Sequence, residues 1–262
     1  MNRKKTIIIC LILIILAALE GAAYFIWQKQ YKDPAAVEER EKEERDSMYQ
    51  QLLSTSLAEA KNYEWIVVIN PTHGGSELGN TSGDLYEKDI TLALAKQIQV
   101  KNTSSDIGIF LTRQTDTNPT LEQRNAFIEQ IQPDLLIELH VNKDMQSSTM
   151  GTSVYYRTDY FHHKLTNVEF ADMLEKNIVT AIEGKALGIF ATDHERYNIL
   201  TDKKMPAVSI ECGYVTHKDE GLLLTRENYQ DHFAQGVLSA FNEAIERLQS
   251  DKINDTAETN IK

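Results

Sequence analysis

Apolar residues fall along this chain in three regimes. Residues 6–27 are almost wholly apolar, a stretch of 22. Residues 33–62 are charged, with Glu38-Glu-Arg-Glu-Lys-Glu-Glu-Arg-Asp46 at their centre, and show no sustained apolar period. From residue 64 onward, short apolar runs alternate with segments in which apolar residues recur every three to four positions. The runs at 65–69, 107–112, 134–139, 151–156 and 207–212 predict strands. Helices are predicted over 88–100, with Ile90, Leu94 and Ile98 on one face, and over 227–248. Two more start at capping-box patterns. Thr120-Leu-Glu-Gln123 opens one that ends before Pro133, and Thr166-Asn-Val-Glu169 opens one reaching about Ile182. Residues 184–201 show no clear period, so they read either as a loop rimming a groove or as a plain surface connection.

Strands alternating with helices predict an α/β domain, a sheet with helices on its faces. Residues 63–249 are long enough to form one such domain with a sizeable core. In these sheets functional groups collect beyond the carboxyl ends of the strands. His73, His140 and Glu211 all fall at or just past such ends, and Glu87 opens a helical pattern.

The N-terminal regime changes the picture of location. A helix of about 20 residues crosses a hydrocarbon core of roughly 30 Å. Arg3, Lys4 and Lys5 before the apolar stretch favour a cytoplasmic N-terminus and an extracytoplasmic domain, although Lys29 and Lys32 lie on the other side. Residues 1–32 are therefore expected to be a transmembrane signal-anchor. Leu-Glu-Gly-Ala-Ala23 leaves a cleaved signal peptide as the alternative. Residues 33–62 read as a solvated, helical spacer in preference to a coiled coil, because apolar heptads are missing. Residues 250–262 read as a polar, disordered tail. The chain carries a net −12, and residues 1–32 carry +4, so residues 33–262 hold −16. That surface argues against a nucleic-acid partner. Cys10 and Cys212 lie in different predicted environments and are not expected to pair.

Two imidazoles and a carboxylate can hold a zinc ion and leave one position for water, and a further carboxylate can take that water's proton. His73, Glu87, His140 and Glu211 supply this set, so the chain reads as a zinc hydrolase.

Five motifs appear in order. They are Ile69-Asn-Pro-Thr-His-Gly-Gly75, Tyr86-Glu-Lys-Asp-Ile90, Leu111-Thr-Arg-Gln-Thr-Asp116, Glu138-Leu-His-Val-Asn142 and Pro206-Ala-Val-Ser-Ile-Glu-Cys-Gly-Tyr214. Together they resemble the type 3 N-acetylmuramoyl-L-alanine amidases over residues 64–248. The resemblance implies a mixed, mostly parallel sheet of about six strands wrapped by helices. It implies zinc bound by His73, Glu87 and His140, with Glu211 as catalytic carboxylate. It implies peptidoglycan as substrate, cut between N-acetylmuramic acid and the L-alanine of the stem peptide, and leaves open whether a protein activator is needed. Two alternatives share these residues: a non-catalytic peptidoglycan-binding module, and a zinc peptidase cutting within the stem peptide.

The sequence departs from the family pattern in places. Asn70 stands where the family has Asp, Thr72 where it has Gly, Glu138 where it has Ser, and Ile128-Glu129 where it has Ala-Asn. Thr72 would be strained if the loop demanded a positive φ there. Glu138 should share a strand face with His140, where it would accept a proton from a ligand or add negative charge beside the metal. Arg113 and Arg124 read as structural ion-pair partners. His162 and His163 read as a surface loop, and His194, His217 and His232 have no ligand-like spacing.

Overall fold

The short apolar runs are largely buried, with Ile66, Tyr155 and Tyr156 only partly so, and all join one sheet. A computed structural model describes residues 3–158 and 164–259, with side chains for 15–29, 33–158 and 164–250. The chain divides into two compact units, Met1–Gln51 and Leu52–Lys262. The first holds helix α1, Arg3–Lys32, and the start of α2, Pro34–Ala60, whose charged run carries an Arg40–Glu44 ion pair. Among the described residues, no helix is long and apolar enough to cross a membrane. The expected span at residues 6–27 therefore gains no support, and the side chains of 6–14 lie outside those described.

The second unit runs β1 Trp65–Pro71, β2 Thr81–Ser82, β3 Leu85–Tyr86, α3 Glu87–Lys101, β4 Ile107–Leu111, α4 Leu121–Ile131, β5 Leu135–Asn142, β6 Thr152–Tyr156, α5 Asn167–Ala181 and β7 Ala186–Ala191. A 3-10 helix, Glu195–Leu200, then leads to β8 Ala207–Tyr214, α6 Lys218–Leu223 and α7 Glu227–Thr259. The main sheet has six strands in the order β4-β1-β5-β8-β6-β7. The first four are parallel; β6 is antiparallel to β8, and β7 is parallel to β6. The sheet is thus mixed and mostly parallel.

Both predicted capping boxes form: Thr120 and Gln123 bond reciprocally, as do Thr166 and Glu169. Three findings differ from expectation. Residues 184–201 contain β7 and the 3-10 helix. The hairpin β2–β3 has strands of two residues, too short to show a period. The helix expected to stop at 248 continues to Thr259, because no Gly or Pro interrupts residues 249–259.

Strand alternation sorts the side chains. Ile137, Leu139 and Val141 of β5 and Val208, Ile210 and Cys212 of β8 join a core with Leu94, Ile98, Phe170, Leu174, Phe233 and Phe241 from α3, α5 and α7. The intervening residues Glu138, His140, Ser209 and Glu211 belong to the opposite face. Parallel register sets Asn70 beside Glu138, Glu138 beside Ser209, and His140 beside Glu211. The core strands therefore carry a row of polar residues on their far side.

Candidate metal centre

Glu87 is the buried hub of this row's upper end. It is the first residue of α3, placed there by the β2–β3 hairpin, and it is fully buried. Its Oε2 accepts from the backbone N–H of Asn80 at 2.7 Å, and its Oε1 from that of Val141 at 3.0 Å. His140 Nδ1 lies 2.9 Å from Glu87 Oε1, and His73 Nε2 lies 3.2 Å from Glu87 Oε2. One potential ligand atom from each of His73, Glu87 and His140 falls within 4.8 Å of the others. His73 sits in the loop after β1, its Nδ1 2.8 Å from Glu77 Oε1.

The loop achieves this without straining Thr72. Positive φ falls instead on His73 (60°), Gly74 (137°) and Gly75 (55°). Thr72 stays in ordinary backbone space, and its hydroxyl donates to the Leu139 carbonyl at 2.7 Å. Gly79, in the loop leading into the hairpin, has no room for a Cβ. A Cβ there would come within 2.6 Å of the His73 ring and 2.7 Å of the Glu87 side chain.

Glu211 faces the group from β8, almost wholly buried. Its Oε1 accepts from the Tyr197 hydroxyl at 3.0 Å and lies 3.1 Å from Arg196 Nε. Arg196 also sets Nη2 3.1 Å from Glu87 Oε1. Neither Arg196 nor Tyr197 carried a signal in the sequence, since they lie on an aperiodic 3-10 turn. The charge imbalance alone points to such a cation: Glu87, Glu138 and Glu211 are all buried in one place.

The charges act strongly on one another. Burial favours the neutral acid at Glu87, but the hydrogen bond with His140 and the close approach of His73 outweigh it and hold the carboxyl well below its usual range. Burial disfavours a charged His140, yet Glu138, Glu87 and Glu211 outweigh that effect and push it up to about 9. Burial raises Glu211 against the pull of His140 and Arg196. Burial also raises the Tyr197 hydroxyl, which therefore stays a donor.

The site suits a cation. His73 Nε2 and Glu211 Oε2 are buried and have no hydrogen-bond partner, a costly state unless something binds them. A cleft of about 270 Å³ opens beside them, walled by His73, Asn118, Leu121, Arg196 and Ile199.

The structure thus brings His73, Glu87, His140 and Glu211 together. Arg113 and Arg124 are structural, though they bind backbone and amide oxygens rather than carboxylates. Arg113 donates to the Pro71, Thr72 and Lys88 carbonyls, and Arg124 to those of Pro71 and His73 and to Asn70 Oδ1. His194 caps the 3-10 helix and His217 caps α6; His232 is exposed. Cys212 is free and buried on the core face. His162, His163 and the Cys10 side chain lie outside the described residues.

The sequence profile of the N-acetylmuramoyl-L-alanine amidases matches residues 67–243. The uncharacterised protein YqiI of Bacillus subtilis is 28% identical over 176 residues, covering 67% of this chain and 82% of that protein. The N-acetylmuramoyl-L-alanine amidase LytC of the same organism is 26% identical over 171 residues, 65% of this chain but 34% of LytC. The crystal structure of the N-acetylmuramoyl-L-alanine amidase from Clostridium difficile 630 superposes with a TM-score of 0.65 at 28% identity, covering 71% of this chain and 98% of that one. A profile match over more than half of its residues assigns this chain to the N-acetylmuramoyl-L-alanine amidase family.

Proposed function

We infer that the protein hydrolyses peptidoglycan at the amide joining the lactyl group of N-acetylmuramic acid to L-alanine of the stem peptide. The observation that carries this reading is Glu211 Oε2, buried and unpartnered on the strand beside His140, in a chain of the amidase family. Two imidazoles and one carboxylate are the donor set that zinc favours, and His73, Glu87 and His140 would hold it. Bound zinc would supply a water of lowered pKa and polarise the amide carbonyl.

The protein's own groups do the rest. Tyr197 and Arg196 engage Glu211 Oε1 and leave Oε2 free. Burial raises the affinity of Glu211 for protons, which suits a group that accepts one from the attacking water and returns it. The water oxygen bonds to the carbonyl carbon, the C–N bond breaks, and the proton passes from Glu211 to the leaving nitrogen. The products are a free lactyl carboxylate on the glycan and a peptide with a free L-alanine amine.

The apolar residues 6–27 behind Arg3, Lys4 and Lys5 support a membrane anchor with the enzyme outside the cytoplasm. Protease added to intact spheroplasts should then digest the domain, whereas full protection would reverse the orientation. The activity is tested by treating purified peptidoglycan with the zinc-loaded full-length protein and identifying new end groups by mass spectrometry. N-terminal L-alanine is the expected product. New ends within the stem peptide would make it a peptidase instead, and no cleavage by a zinc-loaded protein would make it a binding module.

A further inference from the structure

The row below the metal group contains a second carboxylate that the reaction above does not use. Glu138 is buried on β5, two residues before His140 and on the same face. Its Oε2 lies 3.3 Å from His140 Nε2, an ion-pair contact. Neither atom has a hydrogen-bond partner among the described residues, so this approach is charge contact and not an aligned hydrogen bond. The two ring nitrogens of His140 therefore face two different carboxylates: Nδ1 faces Glu87, and Nε2 faces Glu138.

Asn70 decides which way Glu138 is held. Its Oδ1 accepts from Thr112 Oγ1 and from Arg124 Nη1, each at 2.6 Å. An arginine can only donate, so the oxygen of the Asn70 amide must face Arg124, which fixes an assignment that shape alone would leave open. The NH₂ is then turned toward β5, where it donates to Glu138 Oε1 at 2.9 Å. Cross-strand register puts the two residues side by side. An aspartate at 70 would suit Arg124 and Thr112 equally well, but it would present a second carboxylate to Glu138. Asn70 and Glu138 are thus matched: the amide joins a cationic cluster on one side to a carboxylate on the other. These are two of the positions at which the sequence leaves the family pattern.

We propose that Glu138 is a positioning residue for His140, held by Asn70, so that once zinc replaces the proton on Nδ1 the pair keeps the imidazole with its proton on Nε2 and its Nδ1 lone pair toward the Glu87 side. A carboxylate on the far nitrogen of a metal-binding histidine fixes its tautomer and ring angle, and its loss typically costs 10–100-fold in metal affinity. His73 has the same arrangement through Nδ1 and Glu77, but there the carboxylate is exposed. The inference rests on the reading of His73, Glu87 and His140 as metal ligands.

The test measures zinc affinity of the full-length protein by chelator competition, with visible spectra of its cobalt form. Glu138→Ser and Asn70→Asp should each weaken zinc binding 10–100-fold and shift the cobalt bands. The double variant N70D/E138S should recover most of the loss. A serine hydroxyl at 138 can accept from His140 Nε2 and donate to an aspartate at 70, which restores the chain of contacts. Additive losses, or parent affinity in every variant, would overturn the proposal. If a variant fails to fold, the parent still decides: long-range proton–nitrogen NMR of the zinc form should show His140 protonated at Nε2. A proton on Nδ1 would reject the proposal. His73→Ala separates the two levels. If it binds zinc like the parent, the metal reading itself fails; if only the Glu138 and Asn70 variants do, this inference alone fails.

Discussion

The two faces of β5 and β8 are built from the same strands and obey different rules. On one face Ile137, Leu139, Val208, Ile210 and Cys212 pack against α3, α5 and α7. On the other, Glu138, His140, Ser209 and Glu211 share a buried polar layer. A core tolerates substitutions of similar volume and polarity. A buried polar layer does not, because its charged groups lie in contact with one another and an orphaned charge costs several kcal/mol. Neighbouring residues 210, 211 and 212 should therefore respond to mutation in different currencies, stability on one side and chemistry on the other.

The comparison is broken most severely at the ligands. His140→Ala removes one of the three proposed zinc donors, so tight zinc binding and activity should both vanish. Metal analysis on the purified variant checks this, and a full zinc complement would place the metal elsewhere. Gly79→Ala tests whether the hairpin sets ligand positions. The added methyl meets His73 and Glu87 at under 3 Å, and positive φ of 70° adds backbone strain. Zinc affinity should fall at least tenfold, while the strain should lower the melting point of the metal-free protein by only a few degrees, since the hairpin lies outside the main sheet. Equal losses in both would show that the hairpin is simply structural.

The apolar face gives the smaller effects. Cys212→Ser buries a hydroxyl in the core, at a cost of about 1–3 kcal/mol, and should leave kcat near the parent value. A kcat falling as far as stability would mean the faces are not separable. A pH series sharpens the same contrast. In the metal-free protein His140 is raised from its ordinary 6.5 to about 9. Its contribution is complete below about 6.5 and is lost as pH rises toward 9, a change on the order of 1–3 kcal/mol. Thermal melts should thus fall across that window without zinc. With zinc they should not, because the metal replaces the proton. Parallel curves would contradict the assignment of His140.

What the sequence revealed follows the same division. The strands were legible because their apolar runs are buried, and Thr120 and Thr166 were legible because capping boxes are local. His73, Glu87, His140 and Glu211 stood out by their places at strand and helix ends. Arg196 and Tyr197 did not: a 3-10 turn has no long period, and its link to Glu211 is tertiary. β7 was missed because it is half-exposed and lacks alternation. Thr72 would have been strained had the loop demanded a positive φ there, but the loop puts its left-handed residue at His73 instead. Asn70 and Glu138 each looked like a loss or an addition of charge, and only cross-strand register joins them.

The most direct test is Glu211→Gln, which keeps the size of the side chain and a hydrogen-bond acceptor for Tyr197 but removes the base. Zinc content and peptide release from purified peptidoglycan are measured on the same preparation. The account predicts a full zinc complement and turnover lowered by about 10²–10⁴-fold. Parent turnover with zinc bound would contradict it.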